Sequence, residues 1–390
     1  MSATDTPVAT PDPARRAALV AALAPAGVYL AIRVVGVLVL VWLSYAHGLD
    51  PVARLRAWDG DWMIAIAEHG YSGIPDTMLD GHGRHTPFTA LAFFPGYPAT
   101  IAVFAPLLGG NEVAAALVVS LLAGVACAYA LTRLGELVPG GSRRVGLLLT
   151  ALFAAAPMAV TLNMAYTEAL FCALAAWSLV GLLERRWLLA GAACALAGLV
   201  RPTAEALVLA VVAVAAVALV GRRDGWRPLG AALLAASGIG GYLIYVAVRT
   251  GELGGWFTVQ STGWDGGVDG GVAVVRQLGE TLAGRHGTVY DIAILVVLVG
   301  AVVLLALCVP ARVPWPLVLY GAAVVATVWL SSGVMASKVR LLLPAFVLLL
   351  PMALGLARRR PATAWAVLAV ATLASAWFGA YSLTIWKYAI

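Results

Sequence analysis

The stretch AGVYLAIRVVGVLVLVWLSYA, Ala26 to Ala46, reads as one continuous apolar run. About 20 such residues at 1.5 Å each span the ~30 Å hydrocarbon core of a bilayer as a helix. Similar runs recur near 90–108, 112–136, 143–160, 165–184, 187–201, 203–221, 228–249, 291–309, 313–332, 339–357 and 362–386. Composition agrees: 62% of residues are hydrophobic and 11% charged, with a mean hydropathy of +0.93. A soluble domain carries roughly 25% charged residues. The fold class is therefore all-α, a polytopic helical membrane protein with about 11–12 membrane segments. The first run is too long for a signal-peptide core and has no convincing cleavage site.

The charge pattern gives an orientation. The net charge is +6, but the arginines cluster in short turns between apolar runs, at 15–16, 143–144, 185–186, 222–223 and 358–360. That is a positive-inside pattern, not a nucleic-acid surface. With these turns in the cytoplasm, the runs between them pair off evenly. The N-terminus is then cytoplasmic. Two polar stretches, 47–89 and 250–290, become outer loops of a multi-pass plasma-membrane protein. Residues 1–16 are rich in Pro, Thr and Ala and read as the start of a disordered cytoplasmic tail over 1–25. Residues 26–390 form a single transmembrane domain. The 90–108 run carries Pro95, Pro98 and Pro106, which break helix hydrogen bonding. It reads as a re-entrant or kinked segment, with an ordinary crossing as the alternative. The four cysteines lie in apolar runs without a CxxC pattern, as packing residues do.

This topology gathers polar and aromatic groups on one side. WDGDWMIAIAEHGY, Trp58 to Tyr71, follows the first span. Trp62, Met63, Ile66 and Ala67 would share one face of a short interfacial helix. Asp59 or Asp61 could cap that helix or act as a catalytic carboxylate, and both readings stand. AFFPGYP, Ala92 to Pro98, is a kinked entry or a wall against the first loop. Glu168 in NMAYTEALF sits where a helix dipole favours an anion. Arg201 in LVRPT could snorkel to the interface or hold a phosphate. Lys338 and Arg340, in SSGVMASKVRLLLP, put positive charge on the outer side, where a phosphate ligand would give it a reason. His82 and His85 are spaced HxxH with Asp76 and Asp80 nearby, a donor set that metals use, though nothing else in the loop anchors such a site.

The order Trp58-Asp59, IAEHGY (Ile66–Tyr71) and AFFPGYP (Ala92–Pro98) resembles the glycosylphosphatidylinositol mannosyltransferase II family, PIG-V, and its bacterial relatives. YTEALF (Tyr166–Phe171), LAGLVRPTA (Leu196–Ala204) and SKVRLLLPAF (Ser337–Phe346) are similar to later segments of that family, so the likeness covers about residues 30 to 350. The resemblance implies a GT-C membrane glycosyltransferase. Such an enzyme uses a polyprenyl-phosphate sugar, usually mannose, on the non-cytoplasmic face, with an aspartate of the first outer loop as base. By position that is Asp59, with Asp61 a second carboxylate two residues on. Arg201, Lys338 and Arg340 become phosphate candidates. Trp58 and Trp62 are candidates to stack on sugar, and Glu68, His69, Tyr71, Tyr97, Tyr166, Glu168 and Trp264 to line the substrate site. No cofactor is required by this chemistry, although some enzymes of the class use a divalent metal. The implied partners are the lipid-linked donor, membrane lipids and an acceptor that the resemblance does not carry over. A transporter or lipid flippase is the alternative from another class. Its charged groups usually lie near the bilayer midplane, whereas these gather at one surface.

Overall fold

Pro13 opens the first helix, α1 (Pro13–Ala46), in a position where its missing N–H is no loss. The structure is a computed structural model that describes residues 13–285, 288–386 and 388–389. Ala14 to Pro25, expected in the tail, are helical, because alanine, leucine and arginine dominate them and favour helix. Residues 1–12 of the expected tail lie outside the described residues.

The expected first outer loop folds into α2 (Pro51–Arg56), α3 (Asp59–His69) and a long turn-rich segment ending in a 3-10 turn at Thr89–Ala92. Asp50 caps α2 by accepting from the amides of Val52 and Ala53. The 90–108 run becomes α4 (Gly96–Phe104) and a 3-10 turn, Ala105–Leu108. At 1.5 Å per residue these reach ~20 Å, short of a full crossing. That is the length of the re-entrant reading.

Next come α5 (Glu112–Leu137) and α6 (Arg143–Ala154). The 143–160 run stops being α-helical at Ala154, and a 3-10 turn follows at Ala159–Asn163. Then follow α7 (Glu168–Leu183), α8 (Trp187–Gly198), α9 (Ala204–Val220) and α10 (Arg227–Thr250). The expected second outer loop holds two helices, α11 (Gly255–Trp264) and α12 (Val272–Leu282). After α13 (Val289–Leu307) and α14 (Trp315–Leu330) the chain bends through α15 (Lys338–Leu341), a 3-10 run at Leu343–Leu349 and α16 (Leu350–Ala357). It ends in α17 (Pro361–Thr384).

Among the described residues five helices are long and apolar enough to cross a membrane: α1, α5, α10, α13 and α17. The pair 335–341 and 343–357 would be a sixth span, bent by 55°. The other apolar runs expected to span are shorter helices, so several of the expected segments are not full-length spans.

Helix α7 is buried almost all round, as an element apolar on every face must be inside a bundle. It packs between α5 and α8; α8 packs on α10, and α1 lies beside α5, α6 and α17. Small residues let these helices approach closely. A side chain on Gly238 in α10 would overlap the Ala195 carbonyl in α8.

Candidate active site

The chain enters the site through a tight corner. Trp58 has φ 58° and ψ −114°, a backbone conformation that costs a non-glycine residue about 1–3 kcal/mol. The corner is held from across the bundle. The Tyr166 hydroxyl donates to the Ala57 carbonyl (3.1 Å), and the Ala165 amide donates to Leu55 O (2.9 Å). Asp59 is thereby the first residue of α3, and its carboxylate turns away from the helix amides. The capping role open in the sequence is not the one it takes: Asp59 Oδ2 accepts from Arg340 Nη2 at 2.6 Å.

Arg340 is a bridge. Its Nη1 donates to Glu168 Oε1 at 3.1 Å. Arg201 Nη1 reaches the same oxygen at 2.6 Å and donates to Thr167 Oγ1 at 3.0 Å. The Tyr166 ring lies under the Arg340 guanidinium, 5.0 Å from centroid to Cζ, a cation–π contact. Two carboxylates and two guanidiniums thus form one chain of charge with a formal sum of zero. Exposure falls inward from Asp59: its side chain is 30% exposed, Arg340 11% and Glu168 0%, with Arg201 beyond Glu168 at 8%. The open end is therefore Asp59. Glu168 Oε2 and Arg340 Nε are buried without a hydrogen-bond partner. Unpaired polar atoms at a site floor are where a ligand or water finds its contacts.

Asp61 goes elsewhere. It pairs with Arg56 at 2.7 Å in an exposed surface bridge, so the two carboxylates that the sequence left equivalent have different surroundings. Lys338, read as a phosphate candidate, is buried and fully used. Its ammonium donates to Val328 O (2.8 Å), Ser331 O (2.6 Å) and Ser331 Oγ (3.0 Å) at the end of α14. A lysine placed there satisfies helix-terminal carbonyls, so no donor is left for a ligand.

The aromatic candidates divide in the same way. Trp62 stacks on Phe93 at 5.3 Å and meets Trp264 edge-on at 5.6 Å; Phe93 and Trp264 lie 5.2 Å apart. This trio joins α3, the FFPGYP segment and α11, so the segment forms a wall against the expected first outer loop. Trp58 is half-buried against the main core of the bundle instead. Tyr71 donates to Phe93 O (2.8 Å), and Tyr97 reaches Ala116 O and Ser120 Oγ (both 2.8 Å), so both are braces. Glu68 and His69 are solvent-facing, 3.6 Å from each other. The interfacial helix read with one apolar face is instead buried from Trp62 to Ile66 on consecutive positions.

A group missed in the sequence is Arg33, buried within α1. Its Nε donates to Asn163 Oδ1 (3.1 Å) and its Nη1 to Ala154 O (2.7 Å). It ties α1 to the broken segment that delivers Tyr166 and Glu168. A lone arginine inside an apolar run was the signal, since such a charge persists only with a partner.

The histidine loop is pinned by its own contacts. Asp80 accepts from the amides of His82 and Arg84 (2.9 Å each) and from the Arg84 guanidinium. His82 Nε2 lies 3.2 Å from Asp265, and His85 faces Met78 O and Asp76. Among the described residues no three His, Cys, Asp or Glu side chains converge on one point. Burial raises the Asp80 pKa, but the donated hydrogen bonds and Arg84 outweigh it and hold the carboxyl below its ordinary value. Its stabilising contribution is then complete above the ordinary ~3.9 and is lost as pH falls through the lower folded value. We expect the contact of Gly81 N with Gly263 O (2.9 Å) to hold at neutral pH and to loosen below about pH 4. Trp264 fluorescence followed through an acid titration would report it. An emission unchanged to about pH 2 would refute the expectation.

An apolar groove of about 230 Å³ runs between α13 and the bent segment that carries Arg340, with Val297, Gly300, Val339, Leu342 and Phe346 in its walls.

Comparison with known proteins bears on the fold. No family model matches the chain, and no curated protein matches it. Solved structures do. ArnT from Cupriavidus metallidurans bound to undecaprenyl phosphate superposes with a TM-score of 0.52 and 16% identity, over 87% of this chain and 62% of that one. The chain has a GT-C fold. ArnT in the apo state gives a TM-score of 0.49 at 18% identity, over 79% of this chain and 56% of that one. The archaeal oligosaccharyltransferase AglB from Archaeoglobus fulgidus, in complex with an inhibitory peptide and a dolichol-phosphate, gives 0.49 at 14%, over 91% and 55%. The fold assignment rests on the first of these. The chain spans less than two thirds of the length of the ArnT it matches.

Proposed function

We propose that the chain is a membrane glycosyltransferase that moves a hexose from a polyprenyl-phosphate donor to a hydroxyl group on the extracytoplasmic face. The observation that carries this reading is the charge chain Asp59–Arg340–Glu168–Arg201, open at Asp59 and buried around Glu168. Support also comes from the GT-C fold and from the apolar groove between α13 and the bent segment, whose walls suit a polyprenyl tail.

Each residue has a part. Glu168, held by two arginines, fixes the Arg340 fork in place. A donor phosphate reaching the unpaired Arg340 Nε would compete with Asp59 for the same guanidinium, since Arg binds phosphate and carboxylate alike. Arg340 then changes partner, and Asp59 is released as a base beside the reacting carbon. The acceptor oxygen forms its bond to the anomeric carbon while its proton passes to Asp59. The bond from that carbon to the phosphate oxygen breaks, and its electron pair leaves on the polyprenyl phosphate. Arg340 meets that charge as it develops. A single displacement inverts the anomeric configuration. Asp61, paired with Arg56, takes no part. Mannose is the sugar the PIG-V-like motifs favour, and the N-terminus is cytoplasmic in this scheme.

The test is turnover in reconstituted vesicles with a radiolabelled polyprenyl-phosphate hexose. Release of polyprenyl phosphate together with label on an acceptor is the expected result. Movement of intact donor across the bilayer without cleavage would replace the proposal with the transporter reading.

A further inference from the structure

A second groove has no part in the chemistry at Asp59. It is about 1000 Å³, lies between α1, α6 and α17, and has apolar walls that include Ala31, Val35, Leu148 and Leu368; Arg143 and Arg144 stand at it. Its depth in the membrane can be worked out. Arg143 donates to the carbonyl of Ala21 in α1. Ala21 is some 25 residues, or about 37 Å, along the helix from Ala46, the end that leads to Asp59. With a hydrocarbon core of ~30 Å, Arg143 sits just beyond the far edge of that core, at headgroup depth. The α1 wall from Gly27 to Val35 covers about 12 Å, close to the ~15 Å of one leaflet.

The arginines are underused. Arg144 donates to Arg359 O at 2.9 Å, and Arg143 adds only a 3.8 Å approach to Glu136. Glu136 is already engaged by Arg133 at 3.0 Å. A guanidinium has five N–H donors, so on these two exposed side chains most have no partner among the described residues. Arg358 to Arg360 follow at the same end. A guanidinium pair matches a phosphodiester in charge and geometry. The further cations disfavour a headgroup carrying its own positive charge.

We propose that this groove binds one anionic diacyl phospholipid of the leaflet opposite Asp59, with an acyl chain along α1, α6 and α17 and its phosphate between Arg143 and Arg144. Native mass spectrometry of the full-length protein in mild detergent tests it, with phosphatidylglycerol, phosphatidylcholine or polyprenyl phosphate added at equal concentration. The expected result is one retained phosphatidylglycerol per chain. Arg143→Gln with Arg144→Gln should lower its occupancy roughly tenfold or more. Ala31→Phe, on an exposed wall position, should do the same with no change of charge, and it decides the matter if the arginine variant does not fold. Equal retention of phosphatidylcholine, preference for polyprenyl phosphate, an adduct indifferent to the variants, or a dimer that excludes lipid would each overturn the proposal.

Discussion

Asp59→Asn is expected to lower sugar transfer by about 10²–10⁴-fold, the range for loss of a positioned general base, while the protein remains folded. The side chain is 30% exposed and at the open end of the charge chain, so its loss leaves Glu168 and Arg201 undisturbed. The partner exchange proposed for Arg340 adds a sharper expectation. With no carboxylate to displace, the guanidinium is free for the donor phosphate, so donor affinity should rise as kcat falls. A residue that merely supported the fold would not produce that split. Asp61→Asn is the control. It removes only an exposed ion pair, a contact worth about 0–1 kcal/mol, and should leave the rate nearly unchanged. Unaltered transfer in Asp59→Asn, or loss of transfer in Asp61→Asn instead, would reject the assignment of the base.

The second large effect is on stability. Glu168 is fully buried with two guanidiniums on one oxygen, at 2.6 Å and 3.1 Å. Glu168→Gln leaves Arg201 and Arg340 buried, near each other and short of a counter-charge. Removing one partner of a buried pair costs about 3–5 kcal/mol, a large share of a typical total stability of roughly 5–15 kcal/mol. We expect a marked drop in the thermal midpoint in detergent, or failure to yield monodisperse protein. Replacing Glu168 and Arg201 together by leucine and methionine should recover part of that loss, because the stranded charge is removed with its partner. A thermal midpoint for Glu168→Gln equal to the parent would show that the two arginines are solvated in a way the geometry does not allow.

The fold was legible because hydropathy is a local signal: a run of apolar residues reads the same whatever it packs against. Its length is less legible. The 143–160 run looks like one span, yet the helix ends at Ala154, ahead of Pro157, and its last carbonyl is taken by Arg33 from another helix. The site was partly legible for a related reason. Asp59, Glu168, Arg201 and Arg340 each stood out as a charge at a helix end, and the assumed topology put them on one side. Which of them touch is a matter of long-range pairing that no local pattern records. Lys338 and Arg340 show the limit. They are two residues apart and alike in sequence context, yet one caps α14 and the other bridges the site, because neighbours on α15 face different elements. Asp59 and Asp61 divide in the same way at the start of α3.

The bridge from Asp59 to Arg340 joins positions 281 residues apart, and that separation bears on how the protein is made. Chains emerge from the amino end and fold progressively. The Glu168–Arg201 contact can form while the nascent polypeptide is still short of its last spans. Arg340 arrives late, so the acidic corner at Asp59 must wait at the bilayer surface without its cation through most of biogenesis. The proposed centre is then completed only when the final third has been inserted, and a chain halted before that point would hold a settled inner ion pair but not the full row of charges.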